Sequence, residues 1–249
     1  MSSQKLTILF AALFLFMVAW SAGLGIFLMD WLEPETEMGH YLINKGVLTV
    51  VFALVLWRLK LFAAVGFGPG MGMASYVIGL PLFALGVLAF FEPGRAAVSL
   101  VDFAGWTVVV LFIAFTEESL FRGVLWKAFA GKSLCQRAAI TSVMFGLIHM
   151  IAGSLGGIEW TIAGSQAIFA ASFGLILAAM RERAGTIWSV IIAHVVFDVA
   201  AVSAAGGVSA ILEPGLETSL RFLAPAFVFS AWGSSAIYLI GRRKRRKSE

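Results

Sequence analysis

The chain has 249 residues, of which 60% are hydrophobic and only 13% are charged, and its formal net charge is +4. A soluble globular domain carries charge on about a quarter of its residues, so this composition leaves too little polar surface for a water-exposed fold of this length. The composition therefore excludes a soluble protein and predicts an integral membrane protein. The single cysteine, Cys135, excludes an internal disulfide and a cysteine-based metal cluster.

Apolar runs bounded by charged or turn residues follow one another along the whole chain. They are continuously apolar and lack the alternation of a lipid-facing β-strand, so we predict about eight transmembrane helices. The fold class is therefore all-α, and residues 1–249 are predicted to form a single polytopic membrane domain. The predicted spans are Leu6–Met29, Leu42–Trp57, Met71–Phe91, Gly105–Trp126, Ala138–Ile151, Gly164–Met180, Ile187–Ala205 and Phe222–Gly241.

The charges between the predicted spans indicate how the chain is oriented. Basic residues concentrate in alternate connecting segments, whereas the acidic stretch 30–37 falls on the opposite side with only Lys45, Arg95 and Arg221. The positive-inside rule then places both termini in the cytoplasm, which an even number of spans permits. We expect a prokaryotic inner (plasma) membrane, with residues 242–249 forming a basic cytoplasmic tail that anchors the last helix.

The fourth predicted span contains three charged residues in the stretch FTEESLFRG. Each charge inside a membrane costs at least about 2.5–3 kcal/mol, so Glu117, Glu118 and Arg122 require compensation. Glu118 and Arg122 are four residues apart with the acid first, which is the favourable order for an intrahelical ion pair. Glu117 is left without a partner, and an isolated carboxylate in an apolar bundle suits a proton acceptor.

Two other predicted spans carry polar groups at comparable depth. The fifth contains Phe145 and His149, and the seventh contains His194 and Asp198 on one helical face. His40 is assigned to an outer loop and is excluded from this group. Structural polar pairs that hold the helices together are one explanation. Since six costly groups on three helices exceed what packing requires, we favour a functional site.

The residue types narrow the chemistry of this site. The zinc-protease motif HExxH is absent because Met150 follows His149. Asp198 is the only aspartate in a predicted span, which argues against an aspartyl pair, and Cys135 lies in a basic loop away from the histidines. A carboxylate with two imidazoles remains, and this set activates water either directly or through a bound metal.

Three motifs in this region together resemble a known family. The stretch EESLFR matches the EExxxR motif of the CPBP group, the CAAX prenyl endopeptidase type II or Abi family. Phe145 to His149 matches its FxxxH motif, and His194 to Asp198 matches its HxxxN/D motif. The motifs occur in the family's order on separate predicted helices. The resemblance covers about 115–198, within a family-like core of about 105–205.

The resemblance implies a membrane-embedded glutamic endopeptidase whose active site opens toward the cytosolic half of the membrane. It implies that Glu117 is the general base for water and that His149 positions this water or the scissile carbonyl. His194 and Asp198 would stabilise the oxyanion. The Glu118–Arg122 pair would hold Glu117 in place. The supporting residues are Glu118, Arg122 and Phe145.

One departure from the family concerns Asp198, where the prenyl-processing members usually have asparagine. An ionised aspartate repels an oxyanion, so Asp198 is expected to orient His194, share a proton or ligate a metal. If a metal is present, the ligand set would be Glu117, His149, His194 and Asp198, which fits zinc. We favour a metal-free mechanism with no cofactor, because no further intramembrane carboxylate would remain as a base.

The expected partners are a membrane-associated protein or peptide substrate and the lipid bilayer, with no nucleic acid. Two other functions stay open at the level of sequence. A proton-coupled transporter would use the same buried charges as a relay, but the paired broken helices of inverted repeats are not found. A non-catalytic scaffold or peptide-toxin immunity protein is a further role associated with the family.

Overall fold

The computed structural model describes residues 1–91 and 98–248, without the side chains of Ala22, Lys247 and Ser248. All regular elements in these ranges are helical, which confirms the all-α fold class there. Arg95, assigned above to the outer side, lies outside the described residues. The α-helices are α1 (Ser3–Ala19), α2 (Gly25–Leu32), α3 (Glu37–Arg58), α4 (Phe62–Val65), α5 (Leu80–Ala89), α6 (Leu100–Glu118), α7 (Trp126–Ala128), α8 (Leu134–Leu155), α9 (Trp160–Ala184), α10 (Trp188–Ala205), α11 (Val208–Ile211) and α12 (Leu216–Ser248).

Six helical segments in the described ranges are long and apolar enough to cross a membrane. They are α3, the run Leu100–Ala128 that includes α6 and α7, and the helices α8, α9, α10 and α12. The first predicted span is helical but is divided by the π-helix Trp20–Leu24. In the third predicted span only α5 and the 3₁₀ turn Met73–Ser75 are helical. The predicted count of eight transmembrane helices is therefore not confirmed.

Local sequence signals define the ends of the helices that carry the candidate site. Ser99 caps the start of α6 by accepting a hydrogen bond from the amide three residues further on, at 3.1 Å. Ser133 and Gln136 form a reciprocal capping box at the start of α8. Helices α9 and α10 end at Gly185 (φ 70°) and Gly206 (φ 85°), where glycine adopts the left-handed conformation without steric cost.

The C-terminus of α3 forms a Schellman motif. The amide of Leu61 donates to the carbonyl oxygen of Leu56 at 2.8 Å, and the amide of Lys60 donates to that of Trp57 at 3.0 Å. Leu56 and Leu61 are both buried in the core. Lys60 occupies the left-handed position at φ 54°, where glycine is usual and where another residue costs about 1–2 kcal/mol.

Helix α9 lies at the centre of the bundle and packs most extensively against α8 and α12. In its apolar membrane-spanning stretch, 61% of the residues are buried, compared with 17% in that of α3. Small residues allow this close packing: a Cβ atom on Gly146 of α8 would lie 2.5 Å from the carbonyl oxygen of Ala167. Helix α10 packs against α5 and α6, so α6, α8, α9 and α10 surround one polar region.

The run that starts with α6 continues as a π-helix at Ser119–Leu125 before it reaches α7. All seven residues of this segment are buried. In a π-helix each turn is widened by one residue, and such turns frequently occur at functional sites. This widened segment begins directly after Glu118 and contains Arg122.

Two glycines of α9 provide a test of this packing. A Cβ atom on Gly174 would lie 2.7 Å from Nη2 of Arg122 and 3.2 Å from Ser142, whereas nothing lies within 4 Å of one on Gly164. We expect Gly174→Ala to lower the free energy of unfolding by about 1–3 kcal/mol through overpacking. Gly164→Ala should leave it unchanged or raise it by up to about 1 kcal/mol, since alanine favours helix. Thermal unfolding of both variants in detergent measures this difference, and equal transitions would contradict the assigned contact.

Candidate active site

A completely buried ion pair lies at the junction of α6 and the π-helix. Nη1 of Arg122 is 3.2 Å from Oε1 of Glu118, and both side chains are 0% exposed. The guanidinium also lies 4.3 Å from the ring centroid of Phe145, in a cation–π contact with α8. The structure therefore forms the pair expected from the four-residue spacing and joins it to the FxxxH segment.

His194 on α10 lies between two carboxylates and is only 3% exposed. Its Nδ1 is 2.9 Å from Oε1 of Glu118, and its Nε2 is 3.1 Å from Oδ2 of Asp198. Carboxylates only accept hydrogen bonds, so this arrangement needs two protons among the three groups. Either His194 carries a proton on both ring nitrogens, or one carboxyl group carries one.

Glu117 approaches the same histidine from α6. Its Oε2 atom is 3.8 Å from Nε2 of His194, and its side chain is 14% exposed. This oxygen is buried and accepts no hydrogen bond within the described ranges. The carboxylate that the sequence leaves unpaired thus lies beside His194, with a lone pair available to a further donor.

His149 lies near this group but does not join its hydrogen bonds in the described structure. Its Nδ1 is 2.8 Å from the carbonyl oxygen of Phe145, one turn earlier on α8. A carbonyl only accepts, so Nδ1 is the donor and Nε2 of the neutral ring is the available acceptor. The His149 ring packs edge-on against the Phe145 ring at 4.7 Å, and Phe145 in turn lies 6.1 Å from His194.

Aromatic rings form the apolar wall around His194. Phe173 on α9 lies 5.2 Å from the imidazole and is buried. Sequence reasoning did not select this residue, because an aromatic residue in an apolar run gives no signal of its own. Low polarity on this side strengthens the electrostatic interactions of the cluster.

Lys45 on α3 is a second residue that sequence reasoning missed. It lies within α3, is partly buried and interacts electrostatically with Glu117. Its Nζ atom lies 5.9 Å from the ring centroid of Tyr41. Its position inside the predicted span Leu42–Trp57 could have identified it from the sequence, because a charge in a membrane span is costly. His40, assigned to a loop, also lies in α3.

The described ranges contain no group of three or more histidine, cysteine, aspartate or glutamate side chains arranged to hold a metal ion. Glu117, His194 and Asp198 lie together, whereas His149 is held by a backbone carbonyl.

Comparison with known proteins bears on the central part of the chain. Residues 99–200 match the family model described as Rce1-like, type II CAAX prenyl endopeptidase Rce1-like. This match is consistent with a CPBP family protease. The matched segment includes α6, α8, α9 and all site residues from Glu117 to Asp198. Because the Rce1-like family is a protease family, the match supports peptidase activity. No curated protein and no solved structure matches the chain.

Two ion pairs with the same four-residue spacing allow the role of the buried Glu118–Arg122 pair to be tested. Arg122→Met leaves the carboxylate of Glu118 without its buried cation, so we expect a loss of about 3–5 kcal/mol in the free energy of unfolding. The control is Arg221→Gln, which breaks a Glu217–Arg221 pair that is 81% and 64% exposed and should cost less than about 1 kcal/mol. Thermal unfolding in detergent compares the two, and an equally stable Arg122→Met would refute a structural role for the pair.

Proposed function

We propose that this protein is an intramembrane endopeptidase that hydrolyses peptide bonds of membrane-associated proteins or peptides, with Glu117 activating the attacking water. The observation that carries the proposal is the position of Glu117. Its side chain is 14% exposed, and its Oε2 atom accepts no hydrogen bond within the described ranges and lies 3.8 Å from His194. A general base needs a carboxylate that is accessible to a water proton and is held close to the other reacting groups.

In this mechanism Glu117 removes a proton from water, and the resulting hydroxide attacks the scissile carbonyl carbon. The carbonyl oxygen becomes an oxyanion, and Glu117 returns the proton to the leaving amine as the C–N bond breaks. His149 contributes through Nε2, because Nδ1 is engaged with the Phe145 carbonyl oxygen. An acceptor at Nε2 orients the attacking water by accepting its second proton in a hydrogen bond.

His194 supplies positive charge beside the reacting atoms. Both of its ring nitrogens contact carboxylates, which favours the doubly protonated ring. A cation held in an apolar environment stabilises negative charge that develops on a carbonyl oxygen. We assign the Glu118–Arg122 pair to the positioning of His194, since Oε1 of Glu118 contacts both Arg122 and Nδ1 of His194.

Asp198 is assigned to the orientation of His194. Its oxygen lies 3.1 Å from Nε2 on the side away from Glu118, so the two acids hold the ring from both nitrogens. A direct oxyanion contact is disfavoured because an ionised aspartate repels negative charge. Of the three roles left open for Asp198, we therefore propose orientation.

We propose the metal-free form of this mechanism. A zinc ion would need deprotonated ring nitrogens from the two histidines. Both nitrogens of His194 are already directed at carboxylates, whereas Nε2 of His149 is available. The substrate is proposed to be a peptide segment within or beside the membrane, and cytoplasmic termini in a prokaryotic inner membrane remain part of the proposal.

The first test compares wild type with Glu117→Gln in cleavage of a quenched peptide library in detergent. Glutamine cannot remove a proton, so we expect kcat to fall by about 10²–10⁴ while thermal unfolding stays close to that of wild type. Glu213→Gln, which changes an exposed glutamate, serves as the matched control. A metal chelator should leave wild-type cleavage unchanged.

The outcomes of this test are distinct. Full activity of a folded Glu117→Gln would remove Glu117 from the mechanism. Loss of wild-type activity with chelator, restored by zinc, would keep the protease and reassign the same side chains as ligands. Equal loss in the Glu117 and Glu213 variants would show that the assay reports protein quality and not catalysis.

A second test concerns Asp198. Asp198→Asn retains an oxygen that can accept from Nε2 of His194, so we expect kcat/KM within about tenfold of wild type. Asp198→Leu removes this acceptor and should lower kcat/KM by about 10² through loss of ring orientation. The orientation role is wrong if the asparagine and leucine variants are equally impaired in kcat/KM while both remain folded.

A further inference from the structure

A concave pocket lies at the end of α3, outside the candidate active site. Its volume is about 340 Å³, and it is lined by Trp57, Arg58, Lys60, Phe62 and Ala63. Small-molecule sites begin at about 300 Å³, so the pocket can hold a compact polar group. It combines two cations with two aromatic rings at the end of a candidate membrane span, where tryptophan and basic residues meet lipid headgroups.

The two cations of this pocket lack an acidic partner in the described ranges. Other basic residues near helix ends do have one, since Arg137 and Lys244 both contact the carboxylate of Glu182. No comparable ion pair or side-chain hydrogen bond forms at Arg58 or Lys60 within residues 1–91 and 98–248. Their positive charge is therefore available to an anion from outside the chain.

The backbone at Lys60 is a second observation that points to this pocket. Lys60 occupies the left-handed position of the Schellman motif, at φ 54°, where glycine is preferred on steric grounds. A lysine here makes the cap less favourable, yet its side chain lines the pocket beside Arg58. Residues held in costly backbone conformations concentrate at ligand sites.

We propose that this pocket binds the phosphate group of an anionic membrane lipid. Arg58 and Lys60 would contact the phosphate oxygens, since guanidinium and ammonium groups are the usual protein partners of phosphate. Trp57 is 67% exposed and would lie against the glycerol and upper acyl region. Free inorganic phosphate shares the same chemistry, but the aromatic walls and the position at a span end favour the lipid.

The pocket connects to the candidate active site through α4. Beyond Ala63, the carbonyl oxygen of Val65 accepts a hydrogen bond from Nη2 of Arg181 at 3.3 Å. The same arginine donates through Nε to the carbonyl oxygen of Arg122 at 3.1 Å. A bound lipid would therefore stabilise the segment that supports the buried ion pair, and a ligand that binds only the folded state raises the unfolding temperature.

The test uses the purified full-length protein in a neutral detergent. Native mass spectrometry would measure the binding of phosphatidylglycerol and phosphatidylcholine, with inorganic phosphate as competitor, and thermal unfolding would be followed in parallel. Lys60→Gly removes the charge and suits the left-handed backbone, so the lipid-free variant should unfold no earlier than wild type. Lys60→Arg retains the charge, and Lys132→Gln removes an exposed cation outside the pocket.

We expect wild type to bind phosphatidylglycerol more tightly than phosphatidylcholine and to unfold at a higher temperature when it is bound. Lys60→Gly should weaken this binding by about fivefold, which is the contribution of one basic residue near an anionic lipid surface. Lys60→Arg and Lys132→Gln should stay close to wild type. Displacement of the lipid by inorganic phosphate at equal concentration would support the anion site and assign it to free phosphate.

Two results would overturn the proposal. Equal weakening by Lys60→Gly and Lys132→Gln would show a diffuse electrostatic attraction with no defined pocket. Unchanged phosphatidylglycerol binding by Lys60→Gly would show that this lysine contacts no anion. Both readouts are independent of peptide cleavage, so they do not depend on the proposed protease function.

Discussion

The carboxylate of Glu118 is the group on which this arrangement depends. One of its oxygens contacts both Arg122 and His194, in a region where neither the acid nor the arginine is exposed. Ions cannot remain charged in such an environment unless each has a close partner. The surrounding structure meets this condition: Phe145 lies under the guanidinium, and Gly174 leaves space that a larger residue would fill. The packing of α8 and α9 is therefore shaped by the ion pair as well as by apolar contact.

Support for the site extends beyond the part of the chain that matches the Rce1-like family model. Phe10 of α1 contacts Phe121 of the π-helix, with ring centroids 5.9 Å apart. Thr49 of α3 lies 3.1 Å from the hydroxyl of Thr116, the residue before Glu117. The N-terminal helices thus fix the segment that carries both glutamates from two sides. Since rigid support decides whether a catalytic group keeps its geometry, we infer that these helices are needed for function.

Sequence periodicity predicted the contacts that lie within one helix. Glu118 with Arg122, and His194 with Asp198, follow from the four-residue spacing. The contact between Glu118 and His194 was not predicted, because it joins helices 76 positions apart and depends on packing. The interaction of Lys45 with Glu117 was not predicted either, because it joins two different helices. The π-helix and the short third span were also missed, since wide turns and left-handed glycines leave hydrophobicity unchanged.

The charges of the cluster suggest why so many polar groups are tolerated together. Glu117, Glu118 and Asp198 are acidic, while Arg122 and, in the proposed mechanism, a doubly protonated His194 are cationic. In that mechanism Glu117 takes up a proton from water in the step in which an oxyanion forms on the substrate. The cluster would therefore lose one negative charge as the substrate gains one. A fixed cluster that changes in this way would stabilise the transition state more than the ground state, which is the requirement for catalysis.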